Sequence, residues 1–200
     1  MDNIQSIQLS VLDGIIKNNW VCADVGACKG EILDFLSKKS TYCYAFEPDI
    51  LNSNYLLETF RDKNVEISDN VVSDVNGQVK FYNSESHVGN ILGHDMNFNK
   101  FNDFYIRNSI TLDSFFENKL VDFIKLDVEG AEWKVFEGAK NLLKNRNIIW
   151  QVEFHLCEDW DNRNILFDNG YGIYDIINSN NIKKLNKSDG RVYQALLIKE

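Results

Sequence analysis

The chain has 200 residues, 44% hydrophobic and 26% charged, proportions that suit one globular domain with its own core and exclude a disordered chain. Its 21 Lys and Arg against 30 Asp and Glu leave a formal charge of −9, which excludes a general electrostatic grip on nucleic acid or on an anionic membrane. No apolar run nears the roughly 20 residues that span a bilayer. Cys22, Cys28, Cys43 and Cys157 form no C-x-x-C pair, and Met1-Asp2-Asn3 is unlike a secretory leader. Reduced thiols in a cytoplasmic protein are therefore expected.

Ile4, Ile7, Leu12, Ile15 and Ile16 space as a helix, so residues 1–19 read as a helical lead-in to a first strand, Trp20–Val25. Ile32, Leu33, Phe35 and Leu36 form the stripe of the next helix, and Thr41–Phe46 a second strand. Leu51, Tyr55, Leu56 and Phe60 then give another helix, and Val65–Val72 a third strand ending in a turn at Asn70–Asp74. Residues 82–108 break the rhythm with several Asn, His87 and His94, and predict an inserted loop on the acceptor side. Strands follow at Phe123–Asp127 and Ile148–Phe154, with a helix carrying Trp133, Phe136, Ala139, Leu142 and Leu143 between them. A helix at Asp159–Phe167 precedes strands at Ile173–Ile177 and Val192–Ile198, whose turn-rich link predicts an antiparallel hairpin closing one sheet edge. Strand and helix alternate throughout, which implies a mostly parallel sheet covered by helices on both faces, in a single domain over 1–200.

The first strand enters its helix through Asp24-Val25-Gly26-Ala27-Cys28-Lys29-Gly30. Glycines let a ligand approach the backbone, and a helix start offers free N–H groups. The spacing departs from the G-x-G-x-x-G of nicotinamide sites. A carboxylate at Asp24 would repel a diphosphate and attract an ammonium, although such turns also serve packing. Glu47 ends the second strand beside Pro48, where an acidic side chain can accept two ribose hydroxyls or simply favour the next helix start. Ser73 and Asp74 stand where an adenine edge could bond, or as ordinary turn residues.

Phe123-Ile124-Lys125-Leu126-Asp127-Val128-Glu129-Gly130-Ala131-Glu132 delivers carboxylates at the end of a buried strand. Asp127, Glu129 and Glu132 can converge on one cleft to hold an ammonium, a divalent cation or an acceptor hydroxyl; helix capping also explains Glu132 and part of Glu129. His155, two residues beyond Glu153, emerges at the same edge, where it could take a hydroxyl proton or be structural.

In this order the segments Asp24…Gly30, Ala45-Phe46-Glu47-Pro48, Val72-Ser73-Asp74-Val75-Asn76-Gly77, Thr111-Leu112-Asp113-Ser114 and Phe123…Glu132, with Glu137-Gly138-Ala139 and Glu153, resemble the FkbM-type methyltransferase family. The resemblance implies a Rossmann-like class I α/β fold: a three-layer sandwich with a seven-stranded, mostly parallel sheet and an antiparallel last strand. It further implies S-adenosylmethionine as donor and O-methylation of a sugar, glycan or secondary-metabolite hydroxyl. By that likeness Asp24, Gly26 and Gly30 would line the methionine part and Glu47 the ribose; Ala27, Pro48, Ser73 and Asp74 complete the expected cofactor-binding set. Cys28 stands where the family usually has Asn. For the acceptor the expected set is His155 or Asp127 as general base, with Glu129 and Glu153 orienting the substrate. Rival readings are a metal-assisted enzyme with Mg²⁺ on Asp127 and Glu129, a non-catalytic module binding S-adenosylmethionine or a nucleoside, and a nicotinamide oxidoreductase, which the Gly spacing disfavours.

Overall fold

The computed structural model describes residues 3–82, 91–92, 104–155, 160–176, 182–187, 189–190 and 192–200. Helix α1 (Asn3–Ile15) leads to β1 (Val21–Val25), α2 (Glu31–Lys39), β2 (Tyr42–Phe46), α3 (Ile50–Thr59) and β3 (Val65–Ser68). Strands β4 (Val71–Val72), β5 (Gly77–Tyr82), β6 (Ile91–Leu92) and β7 (Phe104–Ile110) follow, then α4 (Leu112–Phe115), β8 (Phe123–Leu126), α5 (Glu132–Glu137), α6 (Lys140–Asn145) and β9 (Ile149–Glu153). The chain ends with a 3₁₀ turn (Trp160–Arg163), α7 (Asn164–Asp168), β10 (Tyr171–Asp175), β11 (Lys183–Lys184) and β12 (Gln194–Lys199).

Local chemistry sets the helix starts. Asp49 caps α3, its Oδ1 accepting from the Leu51 and Asn52 N–H groups at 2.9 Å each, a device worth about 1 kcal/mol. Gly30 precedes α2 at φ 79°, and that helix carries Glu31 and Asp34 in its first turn and Lys38 and Lys39 in its last, each sign where the helix dipole favours it.

The main sheet has eight strands in the order β11-β10-β12-β9-β8-β1-β2-β3. From β3 to β9 all neighbours are parallel; β12 is antiparallel to β9, β10 to β12, and β11 to β10. Helices cover both faces. Leu12, Leu33, Leu36, Leu56 and Phe60 pack with Cys22 and Phe123 on one side. Phe116, Phe136, Leu143 and Leu166 pack with Ala23, Ile124, Leu126 and Trp150 on the other. Truncating Trp150, which is wholly buried, to Ala would cost about 3–5 kcal/mol. Strand order reverses between β1 and β8, and ligands of open α/β sheets bind at the carboxyl ends of strands beside such a reversal.

The α/β sandwich is as expected, with two differences. The sheet has an eighth strand, the two-residue edge strand β11. The expected hairpin and antiparallel last strand form, with β12 lying between β9 and β10. A second, four-stranded sheet, β4-β7-β5-β6, was not anticipated. The apolar run Val65–Val72 is cut after Ser68, whose Oγ accepts from Asn70 Nδ2 at 2.9 Å. Such local side-chain bonds favour a turn over a ladder. Val71 and Val72 then pair with Ser109 and Ile110 of β7. The segment read as a loop over 82–108 thus ends in a seven-residue strand, β7; His87 and His94 lie outside the described residues. Among the described residues no helix is long and apolar enough to cross a membrane.

Candidate active site

The turn after β1 folds over the end of β2. The Gly26 and Ala27 N–H groups both donate to the Phe46 carbonyl, at 3.0 and 3.1 Å. Gly26 has φ 80°, and a Cβ there would lie 1.8 Å from the Asp127 carbonyl oxygen, so no side chain fits. Gly30, at φ 79°, admits none either, because Leu56 and Phe60 press against it. Cys28 between them takes φ 48°, a conformation that L-residues other than Asn and Asp adopt reluctantly.

Glu47 clamps this turn to the next. Its Oε2 accepts from the Cys28 N–H at 2.7 Å and its Oε1 from the Asp49 N–H at 2.9 Å, with half-buried Pro48 between. Burial raises the Glu47 carboxyl above the ordinary range, and these two N–H groups oppose the rise. Each oxygen keeps one further acceptor position. Asp49 also accepts from the Tyr105 hydroxyl at 3.2 Å, which draws the second sheet toward this end.

Asp24 has a protein counter-charge. It is wholly buried, and its charge faces Lys125 from the adjacent strand, Nζ to Oδ1 3.3 Å. Lys125 also donates to the Gly26 carbonyl at 2.9 Å and lies 3.4 Å from Asp127 Oδ2. Burial works against its charge, but the two carboxylates raise its pKa, so the ammonium persists. One buried cation therefore joins the Gly turn to the acidic segment.

Beyond β8, Asp127 is followed by Glu129 at φ 55° and Gly130 at φ 102°, a tight reversal that brings Glu132 to the start of α5. Glu153 ends β9, and His155 projects into the group. Its Nε2 lies 3.0 Å from Glu153 Oε1 and 3.6 Å from Glu129 Oε2, and its Nδ1 lies 3.3 Å from Glu132 Oε1 and 3.8 Å from Asp127 Oδ1. The Tyr193 hydroxyl donates to Glu153 and stands 3.3 Å from His155 Nε2. Gln194 Nε2 also donates to Glu153.

Burial would lower the His155 pKa, but the Glu132 and Glu153 hydrogen bonds and the nearby Glu129 and Asp127 charges push it up to about 10. A general base at neutral pH must be unprotonated. In this arrangement the imidazole stands among four carboxylates, surroundings that favour its proton and oppose the base role expected of it. Burial also acts to raise Glu153, yet the hydrogen bonds from His155 and Tyr193 hold it below the usual carboxylate range. Glu129, driven chiefly by burial, lies above it.

Ser73 and Asp74 bond each other. Buried Ser73 donates its hydroxyl to Asp74 at 2.8 Å, and its carbonyl packs where a Cβ on Gly138 would fall 2.1 Å away; Asp74 is exposed. The structure thus gathers Gly26, Ala27, Gly30, Glu47 and Pro48 at the ends of β1 and β2. It gathers Asp127, Glu129, Glu153 and His155 at the ends of β8 and β9. Sequence reading assigned no role to Lys125 or Tyr193. A lysine inside the apolar run Phe123–Leu126 was a usable signal, because a buried charge demands a partner. Tyr193, 38 residues from His155 in sequence, gave none.

A family model described as the methyltransferase FkbM domain matches residues 24–173. Among solved structures, a methyltransferase FkbM from Methylobacillus flagellatus KT is similar at TM-score 0.63 and 17% identity, over 96% of this chain and 47% of that one. The chain thus spans about half the length of that relative. An rRNA methylase from Streptococcus thermophilus is similar at TM-score 0.52 and 11% identity, over 100% and 98% of the two chains. Magnesium protoporphyrin IX methyltransferase from Synechocystis PCC 6803 is similar at TM-score 0.51 and 14% identity, over 98% and 77%. At these identities the likeness is one of fold. No curated protein matches the sequence.

Proposed function

This chain belongs to the methyltransferase FkbM family, and we propose that it transfers a methyl group from S-adenosylmethionine to a hydroxyl of a sugar, a glycan or a small secondary metabolite. The observation that carries the reading is the closeness of two turns across the β1–β8 reversal. Gly26 packs directly on the Asp127 backbone and Lys125 ties both together. A donor lying on the Gly turn is therefore held beside the carboxylates that would meet the acceptor.

The residues at the first turn suit the donor. Glu47 is nearly buried and keeps an acceptor position on each oxygen, as a ribose diol requires. The Synechocystis neighbour of the same fold was solved with bound S-adenosylmethionine. When bound, that cofactor supplies a methyl group on a positively charged sulfur, a charge that the surplus of carboxylates at this sheet edge favours.

Methyl transfer asks mainly for alignment, which can lower a barrier by about 7–11 kcal/mol. Glu129 and Glu153 orient acceptor hydroxyls. Asp127, with Oδ1 buried and lacking a hydrogen-bond partner among the described residues, takes the proton that His155 is not free to take. A calorimetric titration with S-adenosylhomocysteine and with NAD, followed by radiolabelled methyl transfer to a panel of hydroxylated acceptors, tests the reading. Binding of the homocysteine compound and an O-methyl product support it. Preference for NAD would sink it, and binding without turnover on every acceptor would favour a non-catalytic module.

A further inference from the structure

Glu132 is wholly buried, yet its Oε2 has no hydrogen-bond partner among the described residues. Its other oxygen accepts from the Gly130 N–H at 2.9 Å and faces His155 Nδ1 at 3.3 Å. A buried carboxylate left partly open is costly unless something else rewards it. The opposite edge of the imidazole meets Glu153 at 3.0 Å and Glu129 at 3.6 Å. Four carboxylates on three separate segments thus surround one ring, none of them fully exposed.

Asp127, Glu153 and His155 each offer one ligand atom, and these atoms all lie within 4.8 Å of one another. Ligands of an ion bound at about 2.0–2.2 Å stand roughly 3–4.4 Å apart, so the group needs to contract only slightly to hold one. The geometry points to a divalent-cation site in which Asp127, Glu153 and His155 are the ligands: the ion replaces the proton on Nε2, which is released to solvent, and buried Glu132 holds the ring by Nδ1. That division of the ring, metal on one nitrogen and carboxylate on the other, is how proteins orient metal-bound histidines and fix their tautomer. Tyr193, donating to Glu153, orders a second ligand in the same way. Glu129 stands within reach as a further oxygen donor.

One imidazole nitrogen among carboxylate oxygens suits Mn²⁺ or Zn²⁺ and disfavours Ca²⁺, which takes oxygen ligands alone. On the methyl-transfer reading the acceptor hydroxyl meets this edge of the sheet, where an ion would hold that oxygen and weaken its grip on its proton, Asp127 then serving as a ligand in place of its role as base. This use of the ion rests on the methyl-transfer reading; the existence of the site does not.

The test is calorimetric titration of the metal-stripped chain with MnCl₂, ZnCl₂ and CaCl₂, beside a titration with S-adenosylhomocysteine. Electron spin-echo modulation on the Mn²⁺-loaded chain accompanies it. One equivalent of Mn²⁺ or Zn²⁺ should bind more tightly than Ca²⁺, and the Mn²⁺ spectrum should show coupling to one imidazole nitrogen. Glu153→Gln and His155→Gln should each weaken binding more than tenfold, and Glu132→Gln by about 10–100-fold. The nitrogen coupling needs no variant, so the proposal stays testable if a substitution prevents folding. Absence of Mn²⁺ and Zn²⁺ binding, absence of nitrogen coupling, or equal binding by all three variants would overturn it. Cation binding without S-adenosylhomocysteine binding would leave the site standing and remove the methyl-transfer reading instead.

Discussion

The Lys125 ammonium lies 3.3 Å from Asp24 Oδ1, joining charged side chains from paired positions of adjacent central strands, both shut off from solvent. Burial pulls the Asp24 carboxyl upward and the Lys125 charge pulls it back. The pair reads as an ion pair because the lysine has a second carboxylate and a carbonyl around it. Lys125→Met would strand a buried carboxylate, which typically costs about 3–5 kcal/mol. Lys125→Met with Asp24→Asn should recover part of that loss. The Lys125 pKa is raised on folding, so its stabilisation is complete below about pH 10.4, the unfolded value, and declines as pH rises beyond it. Urea melts of wild type and both variants between pH 7 and strongly alkaline buffer check this; equal stability of the single and double variants would contradict the pairing.

Cys28 holds a left-handed backbone at φ 48° in the turn after β1. Asn tolerates that region better than other L-residues, while strain at such a position costs of order 1–3 kcal/mol. Cys28→Asn is expected to stabilise the chain by about 0.5–1 kcal/mol, a rise of roughly 1–4 °C in melting temperature. A lower melting temperature would mean that the packing of the Cys28 sulfur, 4.0 Å from Asn52 Nδ2, outweighs the backbone strain.

Two glycines should respond in opposite directions. At Gly26 an alanine must take φ 80° and place its Cβ 1.8 Å from a backbone oxygen, so the turns after β1 and β8 have to separate. Gly26→Ala is expected to cost about 3 kcal/mol or more and to abolish binding of S-adenosylhomocysteine. Gly14, near the end of α1, has nothing within 4 Å of a built Cβ. Gly14→Ala should gain about 0.5 kcal/mol without altering binding. Thermal melts and calorimetry of the two single variants distinguish the outcomes; a Gly26→Ala chain that still binds the ligand would remove the packing argument.

The central strands of the main sheet were legible because Val21–Val25, Phe123–Leu126 and Ile149–Glu153 are short, mostly buried runs rich in apolar residues, each with a single polar residue or two among them. The second sheet was not. Strand β4 is two residues long, and β5 and β7 turn Lys80, Phe104 and Ile106 toward or close to solvent, so no sustained apolar pattern marks them. Strand ends placed Glu47, Asp127, Glu153 and His155 at the right edge of the sheet. The sequence also brought Glu129 and Glu132 to that cleft; what it could not supply was which side chains would touch. Glu132, Glu129 and Glu153 reach one imidazole from two elements and a turn, and only their convergence makes the surroundings of His155 favour its proton. Asp24 likewise has Lys125, one strand away, as its counter-charge, a pairing that the spacing of the two residues did not give.

Glu47 offers a test in which two effects oppose each other. Its carboxylate accepts the Cys28 and Asp49 N–H groups, and deleting it in Glu47→Ala strands both donors, at about 1–3 kcal/mol apiece. The same change should weaken S-adenosylhomocysteine binding more than tenfold, by loosening the turn and by removing the ribose acceptor. Burial meanwhile raises the Glu47 pKa above its unfolded value of about 4.3. A raised carboxyl pKa means that the folded chain binds the proton more tightly, so this group favours folding most below about pH 4.3. That contribution falls as pH rises through the folded value. Glu47→Gln cannot ionise and lacks this dependence. The stability of wild type relative to Glu47→Gln should therefore decline from pH 4 toward pH 7 in urea melts. A relative gain with rising pH would show that the two backbone N–H groups stabilise the charge by more than burial penalises it.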